Sequence, residues 1–598
     1  MLAERDGDST NKPEVEEDHP ETEKTATDVE THDNDEPKVI SPAAQSIKRP
    51  WYKKIISKKK IWTSLVVIFI LAIVGAIPYS RYKVLGLFVK ETYSLKVMDS
   101  QTNQPVSDAH VILGGVKATT SSKGTVSIRV GVGNRNLVIG KTYYKSIDQT
   151  VLVGLRPKKS ELFKLVATGY QVPIKVVNLV TGQPVDNAEI VAANTSAKTN
   201  SSGQVSIVLP ADKSSTSATL SGNGYNVAKY TIQVTTSAVA NNTFKLTPSG
   251  TIYFLSNASG TIDVVSTNLD GTGRQTVLKG TGKEDPNSTS LLASRDWQYL
   301  TLNAKRDTNQ NSNSIYLIST ATNKLSTMDD GNATFTPVGW SGHYFVYTVD
   351  RSSTVQNWQS GQYALKSYNA DTGAVTTLYQ TTAQGTNQND YVNQSLGNVY
   401  ALNSGQILFS VGWQASYQDN GTLVGEQGML ISISPNGTNK TTIHSFPIGT
   451  GCQVGDINLS TELHEPDTLY IQDECGQLYE YGNGQVTSNS TLNNRSLYNQ
   501  SYPTYLLSPS GKQTFWGEPR DGQTSLFVGD QSANSQQQIG SLTSYTPYGW
   551  YSDSYLLVEK SGSELYIMPV GGGTALKVSD YYKPAQNFNG YGGGYGGL

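Results

Sequence analysis

The chain has 598 residues, a formal net charge of −3 and only two cysteines. A length on that scale excludes a single hydrophobic core and requires several domains. The near-neutral balance excludes a nucleic-acid partner recruited by overall charge.

Residues 1–40 are acidic, poor in apolar side chains and devoid of aromatic residues. Such a segment buries too little surface to offset the entropy of ordering, so 1–60 reads as a disordered tail. Its second part is basic, with Lys48, Arg49, Lys53, Lys54, Lys58, Lys59 and Lys60. Ile61 to Ile77 then carries no charge and is closed by Pro78. The segment 61–79 is long enough for a transmembrane helix, which needs roughly 17–25 residues. Seven basic residues precede it, against Arg81, Lys83 and Lys90 just after. The positive-inside bias keeps the N-terminus cytoplasmic and places everything C-terminal outside the plasma membrane. The other reading is a cleaved signal peptide with Val74-Gly75-Ala76 as its small-residue site. A leader that long does not fit the class.

An internal duplication follows. One copy contains Leu95-Lys-Val-Met-Asp-Ser-Gln-Thr-Asn-Gln-Pro-Val106, then Ala109-His-Val111 and Gly124-Thr-Val-Ser-Ile128. The other contains Ile174-Lys-Val-Val-Asn-Leu-Val-Thr-Gly-Gln-Pro-Val185, then Ala188-Glu-Ile190 and Gly203-Gln-Val-Ser-Ile207. Pro105 and Pro184, Ala109 and Ala188, and Gly124 and Gly203 are each 79 residues apart. Alternating apolar positions between turn residues predict a small antiparallel β-sandwich over 91–167 and another over 168–247. Gly124 and Gly203 stand where a turn requires positive φ, and Pro105 and Pro184 start strands whose N–H need not pair. The pattern resembles the carboxypeptidase-regulatory-like (transthyretin-like) family, with PEGA modules close to it. Asn103 stands where that family often has Gly, a small departure because Asn also tolerates the left-handed region. The resemblance implies a stalk or adhesion module without a peptidase site.

From Thr251 to Tyr582 short strands alternate with Gly/Asn/Asp/Ser turns in units of roughly 40–55 residues, a period that fits a β-propeller. Seven units start near Thr251, Ser290, Phe335, Asp390, Gly451, Asn499 and Ser544. Thr336-Pro-Val-Gly-Trp340 matches Thr546-Pro-Tyr-Gly-Trp550 as an inner-strand opening. Asp270-Gly-Thr-Gly-Arg274 matches Asn436-Gly-Thr-Asn-Lys440 as the turn before an outer strand. Ser508-Pro-Ser-Gly-Lys512 resembles the Ser-Pro-Asp-Gly-Lys repeat of TolB-type (WD-like) propellers. The first unit lacks an opening strand. Either Ala585-Gln-Asn-Phe588 or Thr243-Phe-Lys-Leu246 is expected to supply it. The propeller therefore covers 248–589, and 590–598 is a flexible Gly/Tyr tail.

The chain carries few motifs of enzyme chemistry. There is no Gly-x-Ser-x-Gly elbow and no His-Glu-x-x-His, so neither a serine hydrolase nor a zincin is expected. Asp350, Asp390, Asp419, Glu426, Asp456, Glu462 and Asp521 are carboxylates available in loops for a glycosidase pair. Asp307, Asn309 and Asn311 alternate as calcium ligands do, without the turn glycine and bidentate Glu of such loops. Trp340, Trp413 and Trp550 each follow Gly and are candidates either for stacking on sugar rings or for packing between blades. Cys452 and Cys475, both on the exported side, are expected to form a disulfide.

The expected fold is all-β: two small sandwiches and a propeller of about seven blades, preceded by one transmembrane helix. The expected function is a membrane-anchored binding or scaffolding protein of the cell envelope. No catalytic residue and no cofactor is expected, and the partners are the membrane and a protein or glycan ligand. The alternatives are a propeller enzyme acting on envelope glycan or peptide, and an adhesin or stalk without a pocket.

Overall fold

The structure is a computed structural model. It describes residues 86–156, 160–235, 242–307, 313–388, 390–416, 427–446, 460–473, 475–490, 504–520, 523–542 and 545–582, together with Trp62, Leu65, Val66, Ile68 and Phe69. Among the described residues no helix is long and apolar enough to cross a membrane. Most of the expected span 61–79, and the tails 1–60 and 590–598, lie outside them. The five described residues of the span are helical and exposed.

Each tandem copy is built from two sheets enclosing one apolar core. In the first copy, Lys90–Asp99 lies between Thr125–Gly131 and Glu161–Ala167 in one sheet. His110–Leu113 lies between Val116–Thr119 and Gly133–Gly140 in the other. Leu95, Val97 and Leu165 from one sheet meet Val111, Leu137 and Ile139 from the other. The second copy repeats this with Ile174, Val176 and Ile207 against Ile190, Ala218 and Leu220.

The duplicated anchors do the same work in both copies. Gly124 and Gly203 both have φ of +70°, and a Cβ on either would sit 2.4 Å from the carbonyl oxygen of Val97 or Val176. Asn103 and its counterpart Gly182 both occupy the left-handed region, at φ 52° and 70°. Asn is tolerated there because its short side chain is compatible with that conformation. Thr120 and Thr199 each donate to the carbonyl of Val106 or Val185 and accept from the N–H of Ala109 or Ala188.

One expectation is corrected. The sheets are not purely antiparallel: Glu161–Ala167 runs parallel to Lys90–Asp99, and Thr243–Leu246 runs parallel to Tyr170–Asn178. A last strand parallel to the first makes the chain leave each copy at the end opposite to its entry. The same pairing removes Thr243–Leu246 as a closing strand for the propeller.

Residues 251–580 form seven consecutive antiparallel sheets among the described residues. They open at Thr251, Ser290, Thr334, Ala383, Ser460, Leu506 and Tyr545 and are numbered here as blades 1 to 7. Their strands are called A to D in chain order, counted in blade 4 from Asp390–Ala401. Apolar clusters join blade 2 to 3, 3 to 4, 4 to 5 and 6 to 7. A further cluster unites blades 7, 1 and 2, so the last blade packs on the first.

Among the described residues blade 1 has three strands, and a bulge identifies which one they leave out. The pairing of C with D slips by one residue in blades 2, 3, 4, 6 and 7, for example at Ile315/Tyr316 and Leu565/Tyr566. Blade 1 shows the same slip at Val264/Val265, between its second and third strands. Those strands are therefore C and D, and the strand not found among the described residues is A. At the far end of the blade 1 edge, Tyr582 donates its N–H to the carbonyl of Leu255 at 2.8 Å. Ala585 to Phe588 lie outside the described residues. Blade 4 departs the other way, with an extra strand, Ala383–Asn387, ahead of Asp390–Ala401.

Candidate functional site

Because strands alternate in direction, the A–B and C–D turns of all blades share one side of the ring. The second copy is joined to that side at blades 7 and 1. Asn178 Nδ2 donates to the Tyr555 hydroxyl at 2.9 Å, and Thr247 donates to Asp270 at 2.6 Å. Val180 is 8% exposed and belongs to the cluster of blades 7, 1 and 2. Tyr551 of blade 7 accepts the Thr251 N–H and lies against Trp297 of blade 2.

On the same side, at blades 4, 5 and 6, a cavity of about 690 Å³ opens. A–B turns of blades 4 and 5 and C–D turns of blades 5 and 6 line it. The A–B turn of blade 5 supplies Glu465 and Asp467, and that of blade 4 supplies Ser404. Asp467 sits at φ 59° and accepts the backbone N–H groups of Asn403 and Ser404. Burial pushes its carboxyl above the usual range, against the pull of those two N–H groups and of Arg295. Glu518 of blade 6 accepts the indole N–H of Trp516 at 2.9 Å, and Trp516 stacks on Phe527. Tyr505 lines the same wall, its hydroxyl pushed up to about 12 by burial and then by Glu465 and Glu518. Tyr481 is raised too, first by burial and then by Asp467.

Three carboxylates, three aromatic rings and several amides and hydroxyls therefore face one space. No Lys or Arg is among its described lining residues. Such a surface repels anions and accepts hydroxyl and amine donors; Tyr505 is its one half-buried ring among the described lining residues, since Trp516 and Tyr481 are buried. Among the described residues no cluster of His, Cys, Asp and Glu is arranged to hold a metal ion.

A second polar group sits at the rim between blades 2 and 3. His343 Nδ1 is 2.9 Å from Asp371 and its Nε2 is 2.9 Å from Asp296. Tyr299 donates to Asp371 at 2.8 Å and meets the imidazole edge-on. The bonds to Asp296 and then Asp371 raise the imidazole above its ordinary value, and these outweigh burial.

The residues singled out from sequence are scattered. Trp340, Trp413 and Trp550 are buried, at 1%, 3% and 7% exposure. The matched Thr-Pro-x-Gly-Trp motifs prove to be one inter-blade device. Trp340 donates to the carbonyl of Leu292 in blade 2, and Trp550 to that of Leu506 in blade 6. Cys475 is disulfide-bonded; Cys452, the other cysteine of the chain, lies outside the described residues. Asp307 is exposed, while Asn309 and Asn311 lie outside the described residues. Asp350 caps a turn at Ser352 on the opposite side of the ring. Asp419, Glu426, Asp456 and Asp521 lie outside the described residues. Asp390 and Glu462 stand in strands of blades 4 and 5. Glu465, Asp467 and Glu518 were not anticipated. Their signal was positional: two stand at or beside the A–B turn of blade 5, at the same place in the repeat as Ser294-Arg-Asp-Trp297 and Ser508-Pro-Ser-Gly-Lys512.

No family model and no curated protein matches the chain. The seven sheets of 251–580, with the last packed on the first, make a propeller, and similar solved structures include β-propellers and TolB. The β-propeller domain of the Trilobed protease from Pyrococcus furiosus is 10% identical, over 63% of this chain and 95% of that one, with a TM-score of 0.32. TolB from Acinetobacter baumannii is 12% identical, over 60% of this chain and 74% of that one, with a TM-score of 0.24. Oligogalacturonate lyase from Vibrio parahaemolyticus is 11% identical, over 55% of this chain and 85% of that one, with a TM-score of 0.30.

Proposed function

We propose that this is a single-pass protein of the cell envelope, with 1–60 in the cytoplasm and 61–79 in the plasma membrane. Two carboxypeptidase-regulatory-like sandwiches carry the propeller outside the cell as a binding platform. The propeller is closed by residues up to 589, and Cys452 pairs with Cys475. The observation that carries the reading is the parallel pairing of first and last strands in each copy. Each copy advances the chain from one end to the other, by a ten-residue first strand of about 33 Å in the first copy. A module with that topology suits a display arm.

The cavity at blades 4 to 6 is the proposed contact, and a neutral or amine-bearing envelope glycan is the ligand class that suits its carboxylates and the half-buried Tyr505; a protein segment is the other candidate. Protease treatment of intact cells tests the topology: the propeller should be cut or shed while the N-terminal tail stays protected. A protected propeller would end the proposal. The three carboxylates in one cavity also favour a second reading, a glycan-active enzyme using a carboxylate pair. New reducing ends released from purified envelope glycan by the intact protein, and lost in Glu518→Gln, would establish that reading over simple binding.

A further inference from the structure

We infer that the entry end of the first copy is a membrane-seating surface, resting on the headgroup region of an anionic bilayer. The inference deepens the anchor reading proposed above and rests on it.

Three stretches converge at this end. The carbonyl of Val89 accepts the N–H of Val132, and Lys90 pairs with Gly131. Gly133 in turn pairs with Val153. The Arg135 guanidinium donates to the carbonyls of Gly86, Gly131 and Val132, which ties the incoming chain to the strand ends. The fit is close: a Cβ on Gly86 would lie 2.2 Å from the Val132 carbonyl oxygen. Residues 86–90, 131–135 and 152–156 thus form one surface.

That surface exposes apolar side chains. Leu87 is 75% exposed, Phe88 83%, Leu152 44% and Leu155 48%. Lys90 and Arg156 are exposed beside them. Aliphatic and aromatic side chains flanked by cations suit the boundary between acyl chains and anionic headgroups. The chain itself limits the choice of occupant. The uncharged run closes at Pro78 and Tyr79, so only residues 80–85 separate it from Gly86. Six extended residues reach at most about 21 Å. A helix crossing the bilayer would hold this end within that distance of the interface.

The test uses the full chain in liposomes containing anionic lipid, with single cysteines carrying an environment-sensitive fluorophore. Leu65→Cys reports the span, Phe88→Cys and Leu155→Cys report the seating surface, and Val227→Cys, on the second copy, is the distant control. Quenching lipids carry the quencher either deep in the acyl chain or near the glycerol. The expected result is deep quenching at 65, shallow quenching at 88 and 155, and none at 227. Shallow quenching at 88 and 155 that is also weakened by Lys90→Glu with Arg156→Glu confirms the role of the anionic headgroups. If 65 is quenched while 88 and 155 behave like 227, the seating surface is wrong and the anchor stands. If 65 is not quenched, the anchor is wrong. Positions 88 and 155 then decide alone: quenched, they mark a peripheral lipid contact; unquenched, they overturn the inference.

Discussion

The two tandem copies share their anchors, their turn chemistry and their topology, yet they meet their neighbours in opposite ways. The comparison is sharpest at one turn. In the first copy Asp99 Oδ1 accepts the N–H groups of Gln101 and Thr102, and its Oδ2 accepts from Gln171 of the second copy. In the second copy Asn178 Oδ1 accepts from Val180 and Thr181. Its amide donates to Tyr225 and to Tyr555 of the propeller. The exchange of a carboxylate for an amide keeps the turn and converts its outward face from acceptor to donor. Two residues on, exposed Gln101 is replaced by buried Val180. The contacts between the copies are polar, with Tyr143 donating to the Ala193 carbonyl and Lys198 facing Asp108. The seam to the propeller has an apolar centre. One fold, duplicated, has become a polar joint at one end and a joint with an apolar centre at the other through a few turn residues.

Exchanging the turn residues should break that difference. Val180→Gln, which installs the first copy's residue, should cost about 2–4 kcal/mol, from lost apolar burial and an amide without a partner. Denaturant unfolding of the full chain measures it, and the reverse exchange, Gln101→Val, should leave stability unchanged. A neutral Val180→Gln would mean that the seam does not depend on apolar packing. Asn178→Asp should be milder, at about 1–2 kcal/mol, because the two tyrosine hydroxyls can rotate to donate to the new carboxylate.

The third prediction separates the seams by pH. Burial alone would raise the Asp99 pKa, but the N–H groups of Thr102 and Gln101 and the Gln171 amide outweigh it and hold it below the ordinary carboxylate value. A depressed pKa means stabilisation that is present above the unfolded value and is lost as pH falls through the folded one. Asp99→Asn should therefore remove part of the acid sensitivity of the chain, by about 1 kcal/mol or less, in paired melts between neutral and strongly acid pH. Asn178 does not titrate, so Asn178→Ala should shift both ends of that series equally.

The smallest effect belongs to the blade 2–3 rim. His343 has a raised pKa, so its bonds to Asp296 and Asp371 contribute fully below the ordinary imidazole value. That contribution fades as pH rises through the raised value. His343→Asn should flatten this slope with a change of well under about 1 kcal/mol, since the side chain is 31% exposed. A slope that survives the substitution would assign it to another group.

Much of this architecture was legible in the sequence, because it rests on local chemistry repeated at fixed spacing. The 79-residue offset marked two equivalent folds, and Gly124 and Gly203 occupy a turn where a carbonyl leaves no room for a Cβ. The strand rhythm located seven units, since each blade must present alternate residues to its neighbours. The Thr-Pro-x-Gly-Trp pairs were visible as a match. Their meaning was not: an indole N–H reaching the carbonyl of the preceding blade is a contact between segments more than forty residues apart. The parallel return of each copy's last strand was hidden for the same reason, as alternation is identical in parallel and antiparallel pairs. The cavity was the least legible feature. Glu465, Asp467 and Glu518 are ordinary turn and strand carboxylates until the ring brings blades 4 to 6 together. Periodicity and turn residues act over a few positions and can be read from the chain alone. Which turns share a side of the ring, and which face a neighbour, depends on closure, and only the tertiary structure decides it.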